Sequence, residues 1–223
     1  KVSAPRMDGL GWYRVRKGTA SDYRVGLKTG ELRFEVFQRP VRTKTLSKFE
    51  RTYNQTDSVS VASAVSKLSP AVSAPAGVYN SGLITVLDDE LGRKVLNDWQ
   101  WLLVDAVGLA STWQGNIFFW SPKHSASFYL DTQRGKTTFV EESVDVLFNV
   151  FLTREGIGKD VLLEDSFGVI HAREGDLNYC ECYIAKPWQM LGGSGELDTF
   201  GKGDMEVYMS LTGQTIRKIM SKS

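Results

Sequence analysis

Two histidines and two cysteines carry all the imidazole and thiol chemistry of this 223-residue chain. His124 sits in "SPKHS", His171 precedes Ala172 and Arg173, and Cys180 and Cys182 flank Glu181 in "YCECY". These are zinc-ligand types, yet their spacing matches no metal-binding pattern. General-base or nucleophilic catalysis needs a partner held beside the reacting group. The sequence offers no H-E-x-x-H, C-x-x-C, G-x-S-x-G or phosphate-loop spacing from which to build one. His124 reads as an exposed loop residue and His171 as a helical one. Alternating residues of a strand share a face, so Cys180 and Cys182 read as small strand residues in a reduced, cytoplasmic compartment and not as a disulfide framework. Glu141 and Glu142, adjacent in sequence, would diverge on a helix and do not form a glycosidase-type pair. The loop "LGGSGE" clusters Gly192, Gly193 and Ser194 but lacks a lysine, and it reads as a turn where backbone passes close to backbone. The expectation is a protein that is not an enzyme, with no cofactor, no metal and no catalytic residue.

Charge is distributed unevenly along the chain. Residues 1–51 hold 13 Lys/Arg against 5 Asp/Glu, so a formal net charge of +1 leaves −7 for the remainder. Residues 141–182 alone hold 10 acidic against 3 basic side chains, which accounts for that whole deficit. An acidic surface of this kind repels nucleic acid and attracts a basic protein. No apolar run approaches the roughly 20 residues of a membrane span, so no membrane association is expected.

The elements that must position these groups follow from periodicity. With 42% hydrophobic residues the chain is long enough to bury a substantial core. "GWYRVRKG" and "DYRVGLKTGELRFEVFQ" alternate with period two around a Lys28–Glu31 turn and predict a small N-terminal β-hairpin unit, residues 1–40, displaying Arg14, Arg16, Lys17, Arg24 and Arg33. Leu46, Phe49, Glu50 and Tyr53 fall at helical spacing, as do Val61, Ala64, Val65 and Leu68. "SPAVSAPAG", Ser69–Gly77, reads as a linker. A strand over Leu83–Leu87 feeds a helix that starts at the acidic Asp88–Glu90 and carries Leu91, Val95, Trp99 and Leu102 on one side. "GNIFFWSP", "ASFYLDT" and "GKTTFVE" form a meander. Helices follow at Val144–Phe151 and Leu163–Ile170, then a strand in "NYCECYIA". A closing helix carries Met205, Tyr208, Met209, Ile216 and Ile219 as a stripe. The class is α+β: a central antiparallel sheet with helices packed on one side.

Three stretches, "GLITVLDDELGRKVLNDW", "GNIFFWSPKHSASFYLDTQRGKTTFVEESVDVLFNVFL" and "CYIAKPWQMLGGSGELDTFGKGDMEVYMSLTGQ", resemble in this order the GAD-like domain and the C-terminal domain of type VI secretion immunity proteins. The likeness rests on Gly115–Trp120, Asp131–Gly135, Glu181–Tyr183 and Leu191–Ser194, and covers roughly residues 45–220. It implies a GAD-like region over 41–112 and an immunity-protein C-terminal domain over 113–223. It also implies an antitoxin that binds a cognate secreted toxin, typically a nuclease, in the bacterial cytoplasm. Glu141, Glu142, Asp145, Glu164, Asp165 and Trp188 are then the expected toxin-binding residues, with Gly192, Gly193 and Ser194 as a structural loop. The competing expectation is a ligand- or nucleic-acid-binding module that uses the basic N-terminal strands; on the antitoxin reading no direct nucleic-acid contact is expected.

Overall fold

The structure is a computed structural model and describes residues 12–15, 22–28, 31–37, 47–58 and 74–221. The chain divides into two compact units, Lys1–Thr45 and Leu46–Ser223. In the first, β1 (Trp12–Val15), β2 (Asp22–Lys28) and β3 (Glu31–Phe37) form a three-stranded antiparallel meander. Residues directly opposed in such a ladder share a face. The register sets Arg14 opposite Arg24, Arg24 opposite Glu35 and Arg33 opposite Gly26, so positions 14, 24 and 33 stand on one face. Arg16, Lys17, the predicted helix around Val61–Leu68 and most of the Ser69–Gly77 linker lie outside the described residues.

The second unit is built on a seven-stranded sheet in the order β10-β9-β8-β7-β6-β5-β4, every neighbour antiparallel. Its strands are β4 (Gln55–Ser58), β5 (Gly77–Tyr79), β6 (Ile84–Val86), β7 (Val107–Thr112), β8 (Ile117–Ser121), β9 (Ala126–Asp131) and β10 (Lys136–Glu141). The α+β class with its antiparallel meander is therefore what is found. The pairing of β7 with β8 carries the sheet across residues 112 and 113 without a break. β4, β5 and β7 are strands that periodicity does not announce.

Side chains alternate across β8, and both faces are apolar. Phe118, with half-buried Trp120, joins a cluster holding Phe49, Trp113, Leu147, Phe148, Phe167 and Ile170. On this side pack α1 (Lys48–Thr52), α3 (Val144–Val146) with the π-helical turn Leu147–Phe151 that continues it, α4 (Ile157–Asp160) and α5 (Glu164–Glu174). Ile117 and Phe119 join a second cluster with Leu91, Trp99, Met205, Tyr208, Met209 and Ile216. That cluster is covered by α2 (Asp89–Lys94) and the long closing helix α6 (Met205–Met220), so the opposite face of the sheet is closed as well. A separate ribbon pairs β11 (Glu181–Ala185) with β12 (Phe200–Asp204).

Helix starts follow local chemistry. The Asp88 carboxylate accepts from Leu91 N at 2.7 Å and the Asp204 carboxylate from Val207 N at 2.8 Å, satisfying amides that an unassisted helix leaves open. Helix α2 stops at Lys94 instead of running to Leu102; Trp99 reaches the core from a short 3-10 turn, Asn97–Trp99. Its indole Nε1 donates to the Met209 carbonyl at 2.9 Å, tying α6 to that turn. Ile219, expected within the buried stripe of α6, is 49% exposed, because the last turn outruns the surface it covers. Gly92 explains how α2 lies so close to β7: a Cβ there would stand 2.3 Å from the Gly108 carbonyl oxygen.

Candidate functional site

The expected contact residues fall into two groups. Glu141 ends β10 opposite Ser127, beyond a bulge and within the run read as a strand, and Glu142 follows in the connection to α3; neither is helical. Glu142 and Asp145 are exposed, and the Asp145 carboxylate accepts from Asn149 Nδ2 at 2.8 Å. Asn149 Oδ1 in turn accepts from Phe49 N at 3.2 Å, fixing this turn to α1. Glu164 and Asp165 are exposed in the first turn of α5. Residue Leu163, before that turn, is left-handed (φ 52°, ψ 51°) and provides no side-chain cap, and the two acidic residues stand in the first turn, where the helix dipole favours negative charge. None of these five carboxylates pairs with a cation among the described residues.

Glu164 differs from the others in its neighbours. It flanks a groove of about 530 Å³ with Tyr53, Leu152, Arg154 and Lys159, so two cations dilute the acidic field there. Tyr53 donates to the Leu152 carbonyl at 2.6 Å. Burial, with a smaller contribution from Glu164, pushes its phenol up to about 12.

Trp188 belongs elsewhere. It meets Tyr208 edge-on, ring centroids 5.7 Å apart, and packs on the second cluster, whereas the acidic helices pack on the first. The loop after it is built by close backbone approach: a Cβ on Gly193 would lie 1.9 Å from the Pro187 carbonyl oxygen, and Gly192 is left-handed at φ 90°. Ser194 Oγ accepts from Glu196 N at 3.3 Å, closing the same loop.

The histidines lie apart. His124 is exposed in the β8–β9 turn, edge-on to Phe128 at 5.6 Å. His171 stacks on Phe167 and meets Asp176 Oδ1 through Nε2 at 2.7 Å. Hydrogen bonds from His171 and then from Ser81 hold the Asp176 carboxyl below the usual range. The carboxylate stands between hydroxyl and imidazole, so the imidazole is not hydrogen-bonded to the serine it would have to activate. The cysteines do not share a face: Cys180 precedes β11 and is exposed, while Cys182 is buried, and burial raises the Cys182 thiol far above its ordinary range. Among the described residues no group of three or more His, Cys, Asp or Glu is placed to hold a metal ion.

One polar constellation escaped the sequence reading. The β9–β10 hairpin tip, Thr132–Gly135, folds onto α6, where a Cβ on Gly135 would stand 2.5 Å from Ile216. Gln133 Nε2 donates to Tyr208 Oη, which lies 3.3 Å from Thr132 Oγ1. That hydroxyl and the Thr132 amide both donate to Asn116 Oδ1 at 3.0 Å. Gly115, Asn116, Asp131–Gly135 and Tyr183 meet Tyr208 around a cleft of about 320 Å³ or flank it. In sequence Tyr208 reads only as part of a packing stripe; its partners lie 75 and 76 positions away.

No family model matches the chain, and no curated protein matches it. Among solved structures it is similar to the crystal structure of Atu4351 from Agrobacterium tumefaciens, with 16% sequence identity, 63% of this chain and 71% of that chain covered, and a TM-score of 0.47. Among the described residues no helix is long and apolar enough to cross a membrane.

Proposed function

We propose that this chain is an immunity protein that binds and neutralises a cognate secreted toxin, a nuclease effector of type VI secretion, without performing chemistry itself. The observation that carries this reading is the set of five carboxylates, Glu141, Glu142, Asp145, Glu164 and Asp165, unpaired with any cation among the described residues. A nuclease presents a cationic surface for its phosphate-rich substrate, and uncompensated carboxylates on a rigid scaffold attract such a surface and steer its approach. Trp188, half-buried and on a different part of the fold, supplies an aromatic anchor of the kind that dominates binding energy where it is engaged.

The test is co-expression with the product of the neighbouring open reading frame. The expected result is a stoichiometric complex that survives purification and rescues cells poisoned by that product; a toxin that kills regardless, with no complex recovered, refutes the proposal. A second reading is favoured by one feature, the register that sets positions 14, 24 and 33 on one face of the N-terminal sheet. It describes a nucleic-acid-binding module, and it requires affinity for DNA or RNA that falls steeply as salt rises.

A further inference from the structure

We propose that the cleft beneath the β9–β10 hairpin tip binds a small molecule through a flat edge that sets one hydrogen-bond donor beside one acceptor, as a primary carboxamide or a nucleobase does. The starting point is Gln133. Its Oε1 is buried and has no hydrogen-bond partner among the described residues, although buried acceptors are almost always satisfied. Its amide nitrogen carries two hydrogens, of which Tyr208 Oη accepts one. Turning the amide over exchanges the atom that meets Tyr208 and leaves the other without a partner, so one vacancy persists in either orientation. An acceptor beside a spare donor is the pattern by which a glutamine pairs with the edge of a nucleobase or of another amide.

The surroundings select against a charged head group. Among the described residues Asp131 brings the only carboxylate of the lining, and both its oxygens are engaged by Arg134, Oδ1 with the backbone N–H at 3.1 Å and Oδ2 with the guanidinium at 2.7 Å. Leu163, Leu197 and Phe200 add apolar surface to the lining, suited to the face of a flat group. About 320 Å³ lies at the small end of ligand sites, the size of a metabolite and not of a protein segment. Of the five unpaired carboxylates none lines this cleft, so the inference is independent of toxin binding. An ordered water would also satisfy Oε1, and that alternative predicts no saturable ligand.

The experiment titrates the full chain separately with adenosine, nicotinamide and benzamide, alongside N6,N6-dimethyladenosine and N,N-diethylnicotinamide, whose edges are blocked. The expected result is one-to-one saturable binding in the nucleoside arm or the carboxamide arms, which identifies the source of the edge, and its loss in the blocked counterpart. Gln133→Leu weakens that binding about tenfold or more, the worth of two hydrogen bonds. Ser166→Trp fills the cleft from α5 without touching the Gln133–Tyr208 contact; it abolishes binding while the thermal melt stays unchanged, and it carries the test should Gln133→Leu fail to fold. Absence of saturable binding by all three probes, indifference to blocking, or binding that survives Ser166→Trp overturns the proposal.

Discussion

Trp113 donates its indole N–H to the Leu162 carbonyl at 2.6 Å, tying the end of β7 to the residue before the left-handed Leu163 that launches α5. The first turn of that helix carries Glu164 and Asp165 on its exposed side and Ser166 toward the cleft, so one buried hydrogen bond sets the position of both. Replacement of Trp113 by Phe leaves that carbonyl unsatisfied and is expected to destabilise the fold by about 2 kcal/mol or more, measured by denaturant unfolding. Hydrogen exchange should rise first at residues 163–167. Uniform protection there would show that the indole does not set the helix start.

Gly92→Ala sets two effects against each other. Alanine in a helix interior is favoured over glycine by about 1 kcal/mol. Here, however, the added methyl meets the backbone of Gly108 at 2.3 Å, and backbone cannot swing aside as a side chain can. The clash is expected to win with a net loss of about 1–3 kcal/mol; a thermal melt at or above that of the natural chain would mean α2 stands further from β7.

Alkaline behaviour follows from the tyrosines. Burial pushes Tyr53, Tyr79, Tyr129, Tyr183 and Tyr208 up to about 12 from the ordinary phenol value of 10.0. A folded pKa above the unfolded one means the unfolded chain releases its protons first, so stability is complete below pH 10 and is lost as pH rises toward 12. The expected outcome is that tyrosinate absorbance from these residues appears together with loss of circular dichroism. Ionisation well before unfolding would show that these phenols reach water in the native state.

Charge reversal separates the roles proposed for the toxin-binding residues. Glu141→Lys, Glu142→Lys and Asp145→Lys together are expected to slow association with the proposed toxin about tenfold and to flatten its salt dependence. Reversal of Glu164 alone acts less, because Arg154 and Lys159 already share its groove. Trp188→Ala removes an uncharged anchor and should act on dissociation. Stopped-flow measurements at two salt concentrations distinguish these outcomes, and unchanged association of the triple variant would remove that acidic surface from the interface.

Where pattern and burial agree, the fold is legible in the residues themselves. β8 to β10 and the starts of α2 and α6 could be placed because alternation and acidic caps are local signals. β7 could not: "VGLAST" is buried at all six positions, and a strand covered on both faces has no alternation to display. β4, "QTDS", fails for the opposite reason, since all four residues are exposed at a sheet edge and none is apolar. The shared-face reading of Cys180 and Cys182 failed because the strand begins only at Glu181. The cleft was illegible because Asn116, Gln133, Ser166 and Tyr208 reach it from four separate elements. Its lining runs from Gln114 to Tyr208 along the chain.

Two thiols separated by a single residue thus live in different worlds, one facing solvent and one sealed beneath α6 beside Gly115 and Tyr208. That arrangement makes the chain its own stopwatch. A thiol reagent reaches Cys180 directly from solvent, but it reaches Cys182 only in those moments when the closing helix lifts away. The lag between the first and second label counts how often this protein opens, whatever it binds.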